Sequence, residues 1–264
     1  MLMEVKNHFK MMFLSIKYNI LKEMVNPVSF ASNIIFMALN NASFIIQWVI
    51  LFSLKDEIGG YSLNTVLLLW GLSASAYGFS NVLFGNAYKI SDLIVDGKLD
   101  AYLVQPKNVL LNVITSYTKI SAIGDIIYGY VMLTIIEFNT NSFILFTLFS
   151  ITGGIILTSL AIIFGSLAFY IVKVDAIANT VNGAMINFAT YPDGIFKGIS
   201  KIFLFTIVPV AFTTYIPINI MERFDMRMVH LVLGVTLMIV LIALLIFNRG
   251  LKRYSSSNLM SARV

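Results

Sequence analysis

From Met24 to Leu54 the chain carries no charged residue, and the short polar turn Lys55-Asp56-Glu57-Ile58-Gly59-Gly60 leads into a second charge-free run, Ile58–Tyr88. A bilayer's hydrocarbon core, about 30 Å thick, takes about 20 apolar residues in a helix. Lipid offers backbone groups no hydrogen-bond partner, so a crossing segment must satisfy its own. Two such runs in succession restrict the chain to an all-α, polytopic membrane protein. The rest of the composition agrees: 58% of residues are hydrophobic and 12% charged, with mean hydropathy +0.87. A soluble domain is about 45–50% apolar and about 25% charged. The 264 residues leave room for six spans with short loops, organised as a single transmembrane domain over 1–264.

The remaining spans are less clean. Val109–Ile136 is apolar but contains Lys119 and Asp125, and Phe138–Val172 holds a fourth span. In that fourth span Gly153-Gly154 and Gly165-Ser166 are small enough for close helix packing. Ala176–Tyr191 is uncharged and just long enough for a fifth, and Met228–Asn248 is the last. Between these two lies Ile202–Met221, interrupted by Pro209 and Pro217. Each proline removes a backbone donor.

Charge sets the orientation. Lys6, Lys10, Lys17 and Lys22 precede the first span, Lys89, Lys98 and Lys107 lie between the second and third, and Arg249, Lys252, Arg253 and Arg263 follow the last. The opposite turns carry little beyond Lys55. The positive-inside rule puts both termini and Asp92–Pro106 in the cytoplasm. An even number of crossings follows, so 195–221 reads as an external re-entrant pair of short helices. In the alternative, Ala176–Tyr191 does not cross and Ile202–Met221 does. Residues 1–23, with lysines among Phe9, Met12, Phe13, Ile16 and Ile20, read as an interfacial helix. An ordinary solvated leader helix is the other reading. The N-terminus lacks the apolar core and cleavage site of a signal peptide.

Several chemistries are excluded. With no cysteine there is no disulfide, thiolate site or thiol nucleophile, and His8 and His230 fit no metal spacing. No Gly-x-x-x-x-Gly-Lys-Ser/Thr loop occurs, so ATP is not bound by that route. No His-Glu-x-x-His or Gly-x-Ser-x-Gly motif occurs, and the basic residues are too dispersed for nucleic acid. The chain reads as neither an enzyme nor a cofactor protein.

The segment 89–106 stands apart from the spans. On a helix from Ile90 to Leu103, the side chains Leu93, Ile94, Leu99 and Tyr102 give apolar anchors, and Asp92, Asp96, Lys98 and Asp100 give polar contacts. Gly97 permits a bend or a close backbone approach. Either a soluble partner docks here, or the helix only connects spans two and three. Asp125 is open to two readings, a cationic substrate or a contact within the bundle, the second preferred: a pair with Lys119 or a polar helix–helix bond. Pro192, Pro209 and Pro217 would shape an external gate or merely break helices in a cap. Trp48 and Trp70 fit interfacial anchors better than a binding cage.

Gly97-x-Leu99-Asp100-x-x-Leu103-x-x-Pro106 resembles the signature after the second span of ABC-2 type permeases, the six-span subunits of ATP-binding-cassette exporters. Tyr191-Pro192, Ile207-Val208-Pro209 and Tyr215-Ile216-Pro217 are similar to the spaced prolines of one branch, and Gly250-Leu251-Lys252-Arg253-Tyr254 resembles its ending. The resemblance implies an N-terminal elbow helix, a cytoplasmic coupling helix at Ser91–Leu103 and an external re-entrant element before the sixth span. It implies coupling through Asp92, Leu93, Asp96, Gly97, Leu99, Asp100, Leu103 and Pro106, with Val172–Asp175 as a minor second contact. It further implies a second permease subunit, identical or different, and a separate ATPase subunit that binds ATP and Mg. Export across a bacterial cytoplasmic membrane by alternating access completes the expectation. An ion-coupled secondary transporter, with Asp125 as its coupling group, or a scaffold without a transport path are the competing readings.

Overall fold

The computed structural model describes residues 2–137, 139–171, 175–198 and 209–255. Among these the architecture is helical, with one isolated bridge between Ile58 and Tyr61. Residues 172–174 and 199–208 lie outside the described residues, and with them most of the expected second contact and the first third of Ile202–Met221.

Helix α1 (Leu2–Glu23) is followed by α2 (Pro27–Leu54). The Asn26 side chain accepts from the Ser29 amide at 3.1 Å and Pro27 opens the helix, where its missing donor costs nothing. Gly59 and Gly60 then take positive φ in the turn before α3 (Leu63–Phe84). A 3₁₀ turn over Gly85–Lys89 carries α3 into α4 (Ile90–Val95), so Leu63–Val95 runs as one long element. After α5 (Asp100–Leu103) and α6 (Val109–Thr115) the chain leaves helical geometry and re-enters it in α7 (Ala122–Ile136). Then come α8 (Thr140–Ser166) and α9 (Asp175–Ala189). A π-turn over Ala211–Tyr215 leads into α10 (Ile216–Glu222), and α11 (Met226–Leu251) closes the fold.

Among the described residues four elements are long and apolar enough to cross a membrane: Pro27–Leu54, Leu63–Val95, Thr140–Phe169 and Met226–Leu251. The expected third span is not one helix but two, α6 and α7. At 1.5 Å per residue α9 is about 22 Å long, shorter than a full hydrocarbon core. Two faces of the bundle can be distinguished. The proximal end carries Asp92–Pro106, and the distal end carries the turns around Gly59 and Pro192.

Small residues decide the packing. A Cβ on Gly129 of α7 would collide with Ser75 Oγ and the Gly71 carbonyl of α3, and one on Gly124 with the Ile34 carbonyl of α2. Gly153 and Gly154 of α8 lie against Ala76 and Ser80 of α3. Backbones this close gain dispersion and polar contacts, which hold helices together where lipid supplies no hydrophobic drive. The interior divides into a large distal cluster, with Leu69, Leu72, Phe146 and Phe149, and a smaller proximal one, with Ile90, Ile94, Leu99, Val113, Phe169 and Phe247.

Both terminal elements meet the proximal end. Ser15 Oγ and Asn19 Nδ2 of α1 donate to the Thr115 carbonyl at 2.9 and 3.1 Å, satisfying an orphan acceptor where α6 stops. Tyr254 packs edge-on to Phe169. The two tryptophans are buried, not surface anchors. Trp48 packs against Phe52 and Tyr191, and Trp70 stacks on Phe44 with ring centroids 4.4 Å apart.

Candidate functional site

At the proximal end the chain folds back on itself. Gly97 adopts φ of 70°, a conformation open to glycine at little cost, and the Leu99 amide reaches the Leu93 carbonyl at 3.0 Å to close the turn. The eight residues from Asp92 to Pro106 singled out in the sequence are thus gathered in one hairpin. They do not share a role. Ile94 and Leu99 are fully buried in the proximal cluster and hold the hairpin to the bundle, so these two do not point outward as anchors for a partner. Leu93, Gly97 and Asp100 are half-buried. Asp92, Asp96, Leu103 and Pro106 are exposed, and Val104, next to Leu103, is 83% exposed.

The surface charges are of small energetic weight. Lys98 Nζ sits 2.7 Å from Asp96 Oδ2 at the surface. That hydrogen bond, with the Asp96 charge behind it, raises the pKa of the ammonium, but an exposed pair contributes little to stability. Tyr254 lies beside Asp100, and burial, followed by that carboxylate, pushes its hydroxyl up to about 12.

Polar bonds tie the hairpin to the break after α6. Asn86 Nδ2 donates to the Val113 carbonyl at 3.1 Å and to Ser116 Oγ at 2.8 Å, and the Tyr102 hydroxyl is 3.0 Å from the same Ser116 oxygen. Asn112 Nδ2 donates to Gln105 Oε1 at 2.9 Å. Lys89 stands over the Tyr117 ring, 3.9 Å from its centroid. The irregular segment 116–121 is itself seated on α3, through the Lys119 amide and the Asn81 carbonyl at 3.1 Å.

Asp125, in the first turn of α7, opens a second site. Its Oδ1 accepts from Asn41 Nδ2 of α2 at 2.6 Å, and the Trp70 indole points at Asn41 Oδ1 from 3.5 Å, the outer limit of a hydrogen bond. The expected partner, Lys119, is engaged elsewhere: its Nζ donates to the Tyr77 hydroxyl at 3.1 Å. A polar helix–helix bond therefore replaces the ion pair. Asp125 also lines a cavity of about 230 Å³ between α2, α3, α7 and α9. A larger cleft of about 570 Å³ lies at the distal surface beside Glu137 and Glu222 and is walled mainly by apolar side chains of α8 and α11.

The prolines belong elsewhere. Buried Pro192 packs over Gly59, where a Cβ on Gly194 would strike the Gly59 backbone. Beside it the Tyr61 hydroxyl donates to Asp193 Oδ1 at 2.9 Å, and burial first, then the Asp193 charge, raise its pKa above the ordinary phenol range. Thr65 Oγ1 donates to Glu222 Oε1 at 2.8 Å across the same end. Pro209 and Pro217 are buried at the heads of the π-turn and α10. None of the three lines the Asp125 cavity.

Asn41 and Trp70 escaped the sequence reading as site residues. The signal that could have found Asn41 is an amide within an otherwise apolar span, which requires a polar partner at membrane depth. Residues 37–258 match the family model described as ABC-2 family transporter protein. No curated protein and no solved structure matches the chain.

Proposed function

The chain belongs to the ABC-2 family of transporter proteins, and from that premise we propose that it is the permease subunit of an exporter driven by a separate ATPase. The ATPase docks on the proximal hairpin. Exposed Leu103 and Val104 form the apolar contact, with Asp92, Asp96 and Pro106 around them. Ile94 and Leu99 transmit force because they are fixed in the bundle. The observation that carries this reading is the division within the hairpin: its apolar inner side is packed in the chain's own core, while Leu103 and Val104 are held outward at 40% and 83% exposure.

In this reading the chain crosses the bilayer six times, by α2, Leu63–Val95, α6 with α7, α8, α9 and α11. Both termini and the hairpin are cytoplasmic, α1 lies in the interface as an elbow, and the segment ending in α10 re-enters from outside. Tyr102 and Ser116 link the hairpin to the break before α7. Closure of the ATPase dimer on ATP then shifts α7 and Asp125 relative to α2. The Tyr61–Asp193 and Thr65–Glu222 bonds, with Pro192, close the outer end. ATP and Mg bind to the partner, and this chain is not catalytic. A second permease subunit, identical or different, completes the path in a bacterial cytoplasmic membrane.

Co-purification from the native membrane tests this. Wild type is expected to bring down an ATPase, and Leu103→Asp and Val104→Glu to lose it while keeping a monodisperse, folded profile. Folded wild type that retains no ATPase overturns the reading.

A further inference from the structure

We propose that the Asp125 cavity binds a small organic monocation, an ammonium group carried on an apolar or aromatic body. That this cation is the cargo rests on the permease reading; that it binds does not.

The carboxylate has an unused side. Asp125 is 2% exposed, its Oδ1 is taken by Asn41, and its Oδ2 has no hydrogen-bond partner in the chain. A buried acceptor left without a partner is unfavourable, and an acidic group inside a membrane marks a ligand or ion path. Lys119 does not fill the place, because its ammonium is held on the Tyr77 hydroxyl.

The wall opposite selects the kind of cation. Phe44, Trp70 and Tyr77 line the same cavity as Asp125. Aromatic faces attract a cation that has shed its water; the Tyr77 ring already has the Lys119 ammonium 5.2 Å from its centroid, which leaves Phe44 and Trp70 for the ligand. A divalent metal ion would meet a single carboxylate in this lining, and among the described residues no group of three or more His, Cys, Asp or Glu is gathered to hold one. The other polar lining groups are neutral amides and hydroxyls, so one carboxylate faces one positive charge. The volume, about 230 Å³, falls below the about 300–1,000 Å³ of drug-sized sites and limits the ligand to a small one. Asn40 of α2 and Asn187 of α9 are the exposed members of the lining. Their amides give the cavity a polar mouth between two apolar helices.

Trp70 reports on its own site. The chain has two tryptophans, so Trp48→Phe leaves Trp70 as the sole emitter. Full-length protein in nanodiscs is titrated with benzyltrimethylammonium and, separately, with its uncharged carbon analogue neopentylbenzene. The expected result is a saturable change in Trp70 emission with the cation only, weakened by about tenfold or more in Asp125→Asn as the charge is removed. Asn187→Lys, which leaves the Asn41–Asp125 bond untouched, is expected to weaken it as well by repulsion at the mouth. If Trp48→Phe does not fold, the same titrations are read by calorimetry on the wild-type tryptophan pair. Equal affinity for the neutral analogue, unchanged affinity in folded Asp125→Asn, or no response in folded wild type each overturns the proposal. No ATPase is present in this assay. Cation binding without a co-purifying ATPase leaves the site standing and removes only the permease reading. An ATPase that co-purifies with a chain that binds no cation does the reverse.

Discussion

Helix α2 and the element Leu63–Val95 are neighbours in sequence, and each contains a charge-free run long and apolar enough to span a bilayer. Only 11% of the apolar stretch of α2 is buried in the protein, against 72% of Leu63–Val95. The buried one is the less apolar of the two. In water the most apolar helix goes to the centre. In lipid, apolarity only qualifies a helix for the membrane, and the interior goes to the helix whose surface lets backbones approach. Along α3 that surface is Gly71, Ser73, Ser75, Gly78 and Ser80, all buried. Along α2 the outward side chains Ile35, Phe36, Leu39 and Ile46 are each more than half exposed, and contact with the bundle runs through a narrow stripe that includes Asn41 and Trp48.

The sharpest way to break this contrast is Gly129→Leu, which drives a side chain into Ser75 and Gly71. Overpacking of a tight core costs about 1–3 kcal/mol, occasionally more, so loss of folded, monodisperse protein is expected. Gly234→Leu, on α11 with open space where its Cβ would stand, is expected to leave the thermal midpoint unchanged. Equal damage from both would sink the small-residue account.

A comparable or smaller effect is expected from Asn41→Leu. It leaves Asp125 Oδ1 unpaired and should destabilise by about 1–3 kcal/mol, read as a lower midpoint in detergent. Pairing it with Asp125→Leu should recover most of that loss, because both polar partners are then gone. Failure to recover would mean that the polar stripe of α2 is held by something other than this bond.

Smallest of all is Phe36→Ala on the outer face of α2. A change within about 0.5 kcal/mol is expected for a side chain that is 69% exposed. A loss of several times that size would show that protein, not lipid, covers this face in the assembly.

How much of this was legible in advance depended on whether the cause was local. Asn26, Pro27 and the twin glycines 59–60 mark the ends of α2 and its turn, and all act within a few residues. The close packing of Gly153-Gly154 was likewise readable, since small pairs in an apolar run have few other uses. The break at 116–121 was not. Ser116-Tyr117-Thr118-Lys119-Ile120-Ser121 contains neither proline nor glycine, and what holds it open is distant: Asn81, Asn86, Ser15 and Asn19. In the hairpin, charge pattern located the segment and Gly97 its bend. Which apolar residues turn inward is set by α6, α8 and α11, so Leu99 and Leu103 could not be told apart by spacing. Asp125 drew notice as a lone acid, but Asn41, 84 residues away, gave no local sign of being its partner.

The bond from Ser15 to Thr115 has a consequence for how the molecule is made. The two residues are 100 positions apart. At about 5–20 residues per second, α1 leaves the ribosome on the order of 5–20 s before its acceptor does. During that interval α1 is without the acceptor that Ser15 and Asn19 will bond. The arrival of Thr115 is the first moment at which these bonds can form, so the oldest part of the nascent chain waits for an acceptor made just before synthesis reaches its midpoint.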